Sequence, residues 1–129
     1  MLSIGYKRKK NCLSLLLNTI ILQLYGCDCI QKIEGIVVDG NTHRPLSGVI
    51  YTKEPLTEAQ KRLILNDRSN YQPITDSTGR FSAMNIASGF TCKPHMIIYL
   101  EKEGYTPQSI KWTKKMHPKD TILVQLKPK

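Results

Sequence analysis

The chain is 129 residues long, carries 19 lysines and arginines against ten acids for a formal net charge of +9, and is 40% hydrophobic. That is enough for one domain with a modest core. No block of five or more like charges and no aromatic RNA-binding signature occurs, so the basic surplus does not point to nucleic acid.

Residues 1–26 have the parts of a secretory signal. Lys7-Arg8-Lys9-Lys10 is a positive end, and an apolar run follows from Leu13 to Leu24, broken by Ser14, Asn18, Thr19 and Gln23. A spanning helix takes roughly 20 apolar residues. This shorter, interrupted run fits a cleaved leader better than an anchor. Leu24-Tyr25-Gly26-Cys27 closes it and resembles the lipobox of bacterial lipoproteins. The resemblance implies that the Cys27 thiol receives a diacylglycerol and that the Cys27 amine becomes the new N-terminus. One acyl chain holds weakly, whereas two or three hold a domain stably on a membrane. A plain secretory signal and an uncleaved anchor are the alternatives.

Cleavage before Cys27 leaves 103 residues, of which 15 are basic and ten acidic, a net charge of +5. A surplus of that size favours a soluble surface that can lie near anionic lipid or polymer. Cys12 departs with the leader, and Cys29 and Cys92 remain beside the lipidated cysteine. In an oxidising envelope these two either pair or stay as free thiols, one near a tether and one in a loop.

Residues 27–32 read as a tether, so the domain, 33–127, stands only a short way off the membrane. Ile33 to Asp39 is β-branched and apolar and ends in the turn signal Asp39-Gly40-Asn41, which predicts a strand. Pro45 belongs to the following loop, because it cannot donate to a ladder, and Val49 to Thr52 predicts a second strand. Residues 53–73 break the rhythm. Thr57 and Gln60 fit a capping box, and Leu56, Ala59 and Leu63 fall on one helical face. A short helix near 58–65 and a strand through Arg62–Leu65 fit this stretch equally.

Ile74-Thr75-Asp76 and Arg80-Phe81-Ser82-Ala83-Met84 flank a predicted turn. Asp76 accepts from backbone amides just beyond it, Gly79 supplies a positive φ, and Phe81 points into the core. Met96–Lys102, Tyr105–Trp112 and Thr121–Leu126 predict three more strands. About seven short strands separated by turn signals argue for an all-β fold, a seven-stranded antiparallel β-sandwich.

Several of these segments are similar in order to carboxypeptidase regulatory-like domains: Gly35–Asp39 with Pro45–Val49, Thr75–Ser82 with Asn85-Ile86 and Gly89, and Lys102–Tyr105. Together they cover most of residues 33–126. The resemblance implies a prealbumin-like (transthyretin-like) sandwich, used as a non-catalytic module beside enzymes, in envelope transport proteins or alone in lipoproteins. His43 departs from the pattern, which often has glycine there, so Gly40 or Asn41 is expected to take the left-handed position. The length of 53–73 is a second departure and reads as an insertion.

Signs of chemistry are sparse. His43, His95 and His117 have no metal-ligand spacing beyond Cys92-Lys93-Pro94-His95, which has no second pair. Asp76-Ser77-Thr78-Gly79 offers one carboxylate, too few for calcium. No nucleophile elbow is present. The fold also includes a hydroxyisourate hydrolase whose family ends in Tyr-Arg-Gly-Ser, whereas this chain ends Lys127-Pro128-Lys129. Lys111, Lys114, Lys115 and Lys119 surround Trp112, either as a lipid- or glycan-contacting patch or as a solvated hairpin with Trp112 packed inward. Tyr51, Tyr99 and Tyr105 fit core or core-edge positions.

The expected function is therefore a lipid-anchored, non-catalytic binding or structural module of a Gram-negative cell envelope, on the periplasmic face or the cell surface. It needs no cofactor, metal or catalytic residue, and an envelope protein or a glycan is its expected partner. A lipoprotein that captures glycan or peptide for a transporter is second, and an enzyme third.

Overall fold

A computed structural model describes residues 28–67, 72–89 and 91–129. The leader and Cys27 lie outside the described residues. Within them the chain is mostly β, with six strands and one helix: β1 (Asp28–Asp39), β2 (Ile50–Thr52), α1 (Glu58–Asn66), β3 (Arg80–Ser88), β4 (Ile97–Glu101), β5 (Gln108–Lys111) and β6 (Thr121–Leu126). They form two three-stranded sheets, ordered β3-β1-β6 and β2-β4-β5.

Three features of the strands differ from the sequence-based expectation. Ile74 makes only an isolated bridge to Ile50, so it does not count as a seventh strand. Its neighbour Pro73 has no N–H to extend the ladder. β6 runs parallel to β1, from Glu34↔Thr121 to Asp39↔Leu126, so the first sheet is mixed rather than antiparallel. Strands so far apart in sequence are not joined by a hairpin, so no tight turn forces them to run in opposite directions. Residues 28–32 are no tether either. They are the first part of β1, paired with the end of β3 from Asp28↔Ser88 to Lys32↔Met84.

The alternation along β1 sends Gln31, Ile33, Gly35 and Val37 inward. Ile33, Val37, Phe81, Val124 and Leu126 of the first sheet join Val49, Ile98, Leu100 and Trp112 of the second and its flanks in one buried cluster. The Phe81 ring lies over Gly35, its cross-strand partner, where an added Cβ would come within 2.5 Å of the ring. Gly35 is thus glycine because of its neighbour's side chain rather than its own backbone.

Residues 58–66 are helical because the capping box forms. Thr57 Oγ1 accepts from the Gln60 N–H at 3.4 Å, and Gln60 Oε1 accepts from the Thr57 N–H at 2.9 Å. The helix turns a different face to the domain from the one its leucines suggest: Leu63 and Leu65 are exposed. Lys61 holds it down instead, in ion pairs with Glu101 on β4 and with Glu58. Gly40 and Asn41 do not supply the left-handed residue before Pro45 and Leu46. His43 does, at φ 58°, with its N–H donating to the Asp39 carbonyl.

Candidate functional site

The end of the domain at which β1 begins has the densest polar construction. Cys29 and Cys92 are joined in a disulfide, with Cα atoms 5.4 Å apart. Two residues on, Gln31 is fully buried and uses both ends of its amide. Its Nε2 donates to the carbonyls of Cys92 and Pro94, each at 2.9 Å, and its Oε1 accepts from the Met96 N–H at 2.6 Å. Residues 92–96 carry the chain from the first sheet to the second, and one glutamine satisfies three of the backbone groups of that crossing. Trp112 closes this end: it is buried, its backbone N–H donates to the Met96 carbonyl, and its ring meets His95 edge-on at 5.6 Å. A buried Trp112 is not free to stack on a sugar. Lys111, Lys114, Lys115 and Lys119 around it are exposed.

At the turn before β3, the Asp76 carboxylate accepts from the backbone N–H groups of Thr78 and Arg80, both at 2.9 Å, and from the Thr78 hydroxyl at 2.6 Å. The Thr78 hydroxyl first, then the Arg80 N–H, hold its pKa below the ordinary carboxylate value. Gly79 has φ +73°, and Phe81, two residues on, is buried. This carboxylate is spent on its own loop, which is what a structural turn requires.

The opposite end of β1 carries a second such carboxylate. Asp39 accepts from the N–H groups of Asn41 and Thr42 at 2.7 and 2.8 Å, and from the Tyr105 hydroxyl at 2.7 Å. The Thr42 N–H, then the Tyr105 hydroxyl, then the Asn41 N–H lower its pKa to about 2, from an ordinary 3.8. The same bond raises the pKa of Tyr105. A carboxylate depressed on folding stabilises the fold above its unfolded pKa, and that contribution is lost as pH falls through the folded pKa. Wild-type stability should therefore drop as pH falls from about 4 towards 2. Asp39→Asn should remove this component, so that in acid titrations followed by circular dichroism the gap between the two proteins is constant above about pH 4 and closes as pH falls through that window. Parallel acid limbs for the two proteins would refute the assignment.

Among the described residues, no three His, Cys, Asp or Glu side chains gather where a metal ion would sit. The Cys92-His95 pair is unavailable to a metal, since Cys92 is in the disulfide. A partly apolar groove of about 510 Å³ opens between the edges of β2 and β3, with Tyr51, Leu56, Pro73, Met84 and Ile98 in its walls.

Gln31 and the Lys61 ion pairs were not legible as functional in the sequence, although counting back in twos from Ile33 does place Gln31 on the inward face. No family model and no curated protein matches the chain.

Proposed function

We propose that this protein is a lipid-anchored, non-catalytic module of a bacterial cell envelope, held on its membrane through Cys27. One observation carries the reading: the Cys29–Cys92 disulfide lies two residues beyond the Leu24-Tyr25-Gly26-Cys27 box that closes a basic, apolar leader. A disulfide suits an oxidising compartment outside the cytoplasm, the compartment to which such a leader would direct the chain. The two sheets, which share one core, suit a sandwich of the carboxypeptidase regulatory-like kind. The groove beside Tyr51 favours capture of a glycan or peptide as a second reading, to be tested by calorimetric titration with oligosaccharides and peptides.

Wild type is expected to mature to a chain that starts at Cys27, carries the mass of two or three acyl chains and partitions into detergent. Cys27→Ala should lose the acyl mass. Intact mass spectrometry beside detergent-phase partitioning decides the matter. A wild-type mature chain without acyl mass, or a mutant that still partitions fully through its domain, would show the reading to be wrong.

A further inference from the structure

The outer face of the first sheet is not uniformly polar. Ile30 is 59% exposed and Ile86 63%, and the two are cross-strand partners on β1 and β3. Met84, 55% exposed, lies one pair further along the same face, opposite Lys32. These three form an apolar patch at the end of the sheet where β1 begins. Beyond it the face mixes charged and apolar side chains: Lys32, opposite Met84, pairs with Glu34 at 2.6 Å, Arg80 is exposed opposite Ile36, and Leu123, paired with Ile36 from the other side, is 64% exposed. A charged band of Lys32, Glu34 and Arg80 thus separates the patch from Leu123, and the exposed Asp28 lies on the same face between the patch and Cys27.

The loops at the same end are basic. β3 ends and β4 begins there, and β5 returns to it, because Asp28 pairs with Ser88 and Ile97 with Lys111. Lys93, Lys111, Lys114 and Lys115 are exposed on these segments, and among the described residues none of them is in an ion pair with an acid. Asp28 and Asp120 are the acids nearby in sequence.

We infer that this end is a membrane-contacting surface: Ile30, Met84 and Ile86 enter the boundary between headgroups and acyl chains, and the four lysines face anionic headgroups. The inference rests on the anchoring reading above and adds an orientation to it. Ile30 is three residues from Cys27, about 10 Å along an extended strand. No flexible spacer lies between them, because β1 is already paired at Asp28. Acyl chains on Cys27 thus bring the patch to the bilayer surface. Apolar side chains at that depth are buried from water by about 5–10 Å of interface. A lysine near an anionic surface adds favourable electrostatic energy that falls off within a Debye length. A lipid surface is the occupant that explains both the apolar patch and the basic rim beside the lipid attachment point.

The test places tryptophan on the exposed face of the full-length, processed protein. Ile86→Trp and, at the far end of the sheet, Gln125→Trp are reconstituted in vesicles of phosphatidylglycerol and phosphatidylethanolamine with brominated acyl chains. The buried Trp112 is common to both. Emission from Ile86→Trp should fall about twofold or more, while Gln125→Trp should be quenched by aqueous iodide alone. Met84→Trp repeats the measurement one pair along and should behave like Ile86→Trp. Should the positions near Cys27 be open to iodide and untouched by bromine in a chain of confirmed acyl mass, the orientation is wrong and the anchor stands. Shielding from both quenchers would place a second copy of the chain on the patch and would equally overturn the inference. Bromine quenching in a chain without acyl mass would support the contact surface while removing the anchor.

Discussion

Phe81→Ala is expected to bring the domain close to unfolding. The ring is buried, lies over Gly35, and meets the Tyr51 ring at a centroid distance of 5.6 Å, so it joins the two sheets. Truncating such a side chain costs about 3–5 kcal/mol, since lost transfer energy and a residual cavity add. A domain of this size has only about 5–15 kcal/mol in total. Gly79→Val should be comparably severe for two separate reasons. Its φ of +73° disfavours a β-branched residue, and an added Cβ would sit 2.5 Å from the Val37 carbonyl oxygen. Asp76→Asn should be mild, because an amide oxygen can still accept from the Thr78 and Arg80 N–H groups. Thermal melts of the three variants should rank them in that way. A Phe81→Ala protein as stable as wild type would contradict the packing described.

The second large effect is expected from the cross-link. Cys29 and Cys92 are 63 residues apart, and in the chain-entropy account closing a loop of that size in the unfolded state contributes about 4 kcal/mol. Cys29→Ser with Cys92→Ser should therefore lower stability by about 2–5 kcal/mol, the usual range for a small secreted domain. Urea titrations of the oxidised wild type and the double variant would measure it. A loss well under about 1 kcal/mol would mean that Gln31 and its three bonds hold the 92–96 crossing without the bond.

The β character was legible because Ile33–Asp39, Val49–Thr52 and Thr121–Leu126 have the β-branched, alternating pattern that half-buried strands need. The Asp76 turn was legible because its chemistry is local: the carboxylate and the amides it binds are at most four residues apart. What escaped was set by partners distant in sequence. Asp28, Cys29, Gln31 and Lys32 are not strand formers by propensity. They are extended because β3 continues to Ser88 beside them and because Gln31 reaches residues more than 60 positions away. The parallel course of β6 was hidden for the same reason, since no local residue records the direction of a neighbour on the far side of the chain. The helix was half legible: its cap is local, while its orientation depends on Glu101 of another strand. His43 was misjudged because the left-handed position was sought at the residues that most readily adopt it.

β1 lies between β3 and β6 in its sheet and is paired on the β3 side from Asp28 to Ile36. If the chain is tethered at residue 27, any pull on the domain enters the fold along the axis of this central strand. Hydrogen bonds perpendicular to a strand resist such a pull together, in shear, instead of opening one after another like a zipper. The Cys29–Cys92 bond would divert part of the tension into the second sheet before most of β1 could slide. A domain built this way is mechanically stiff at the start of β1, and single-molecule pulling from residue 27 should show a higher rupture force with the disulfide oxidised than reduced.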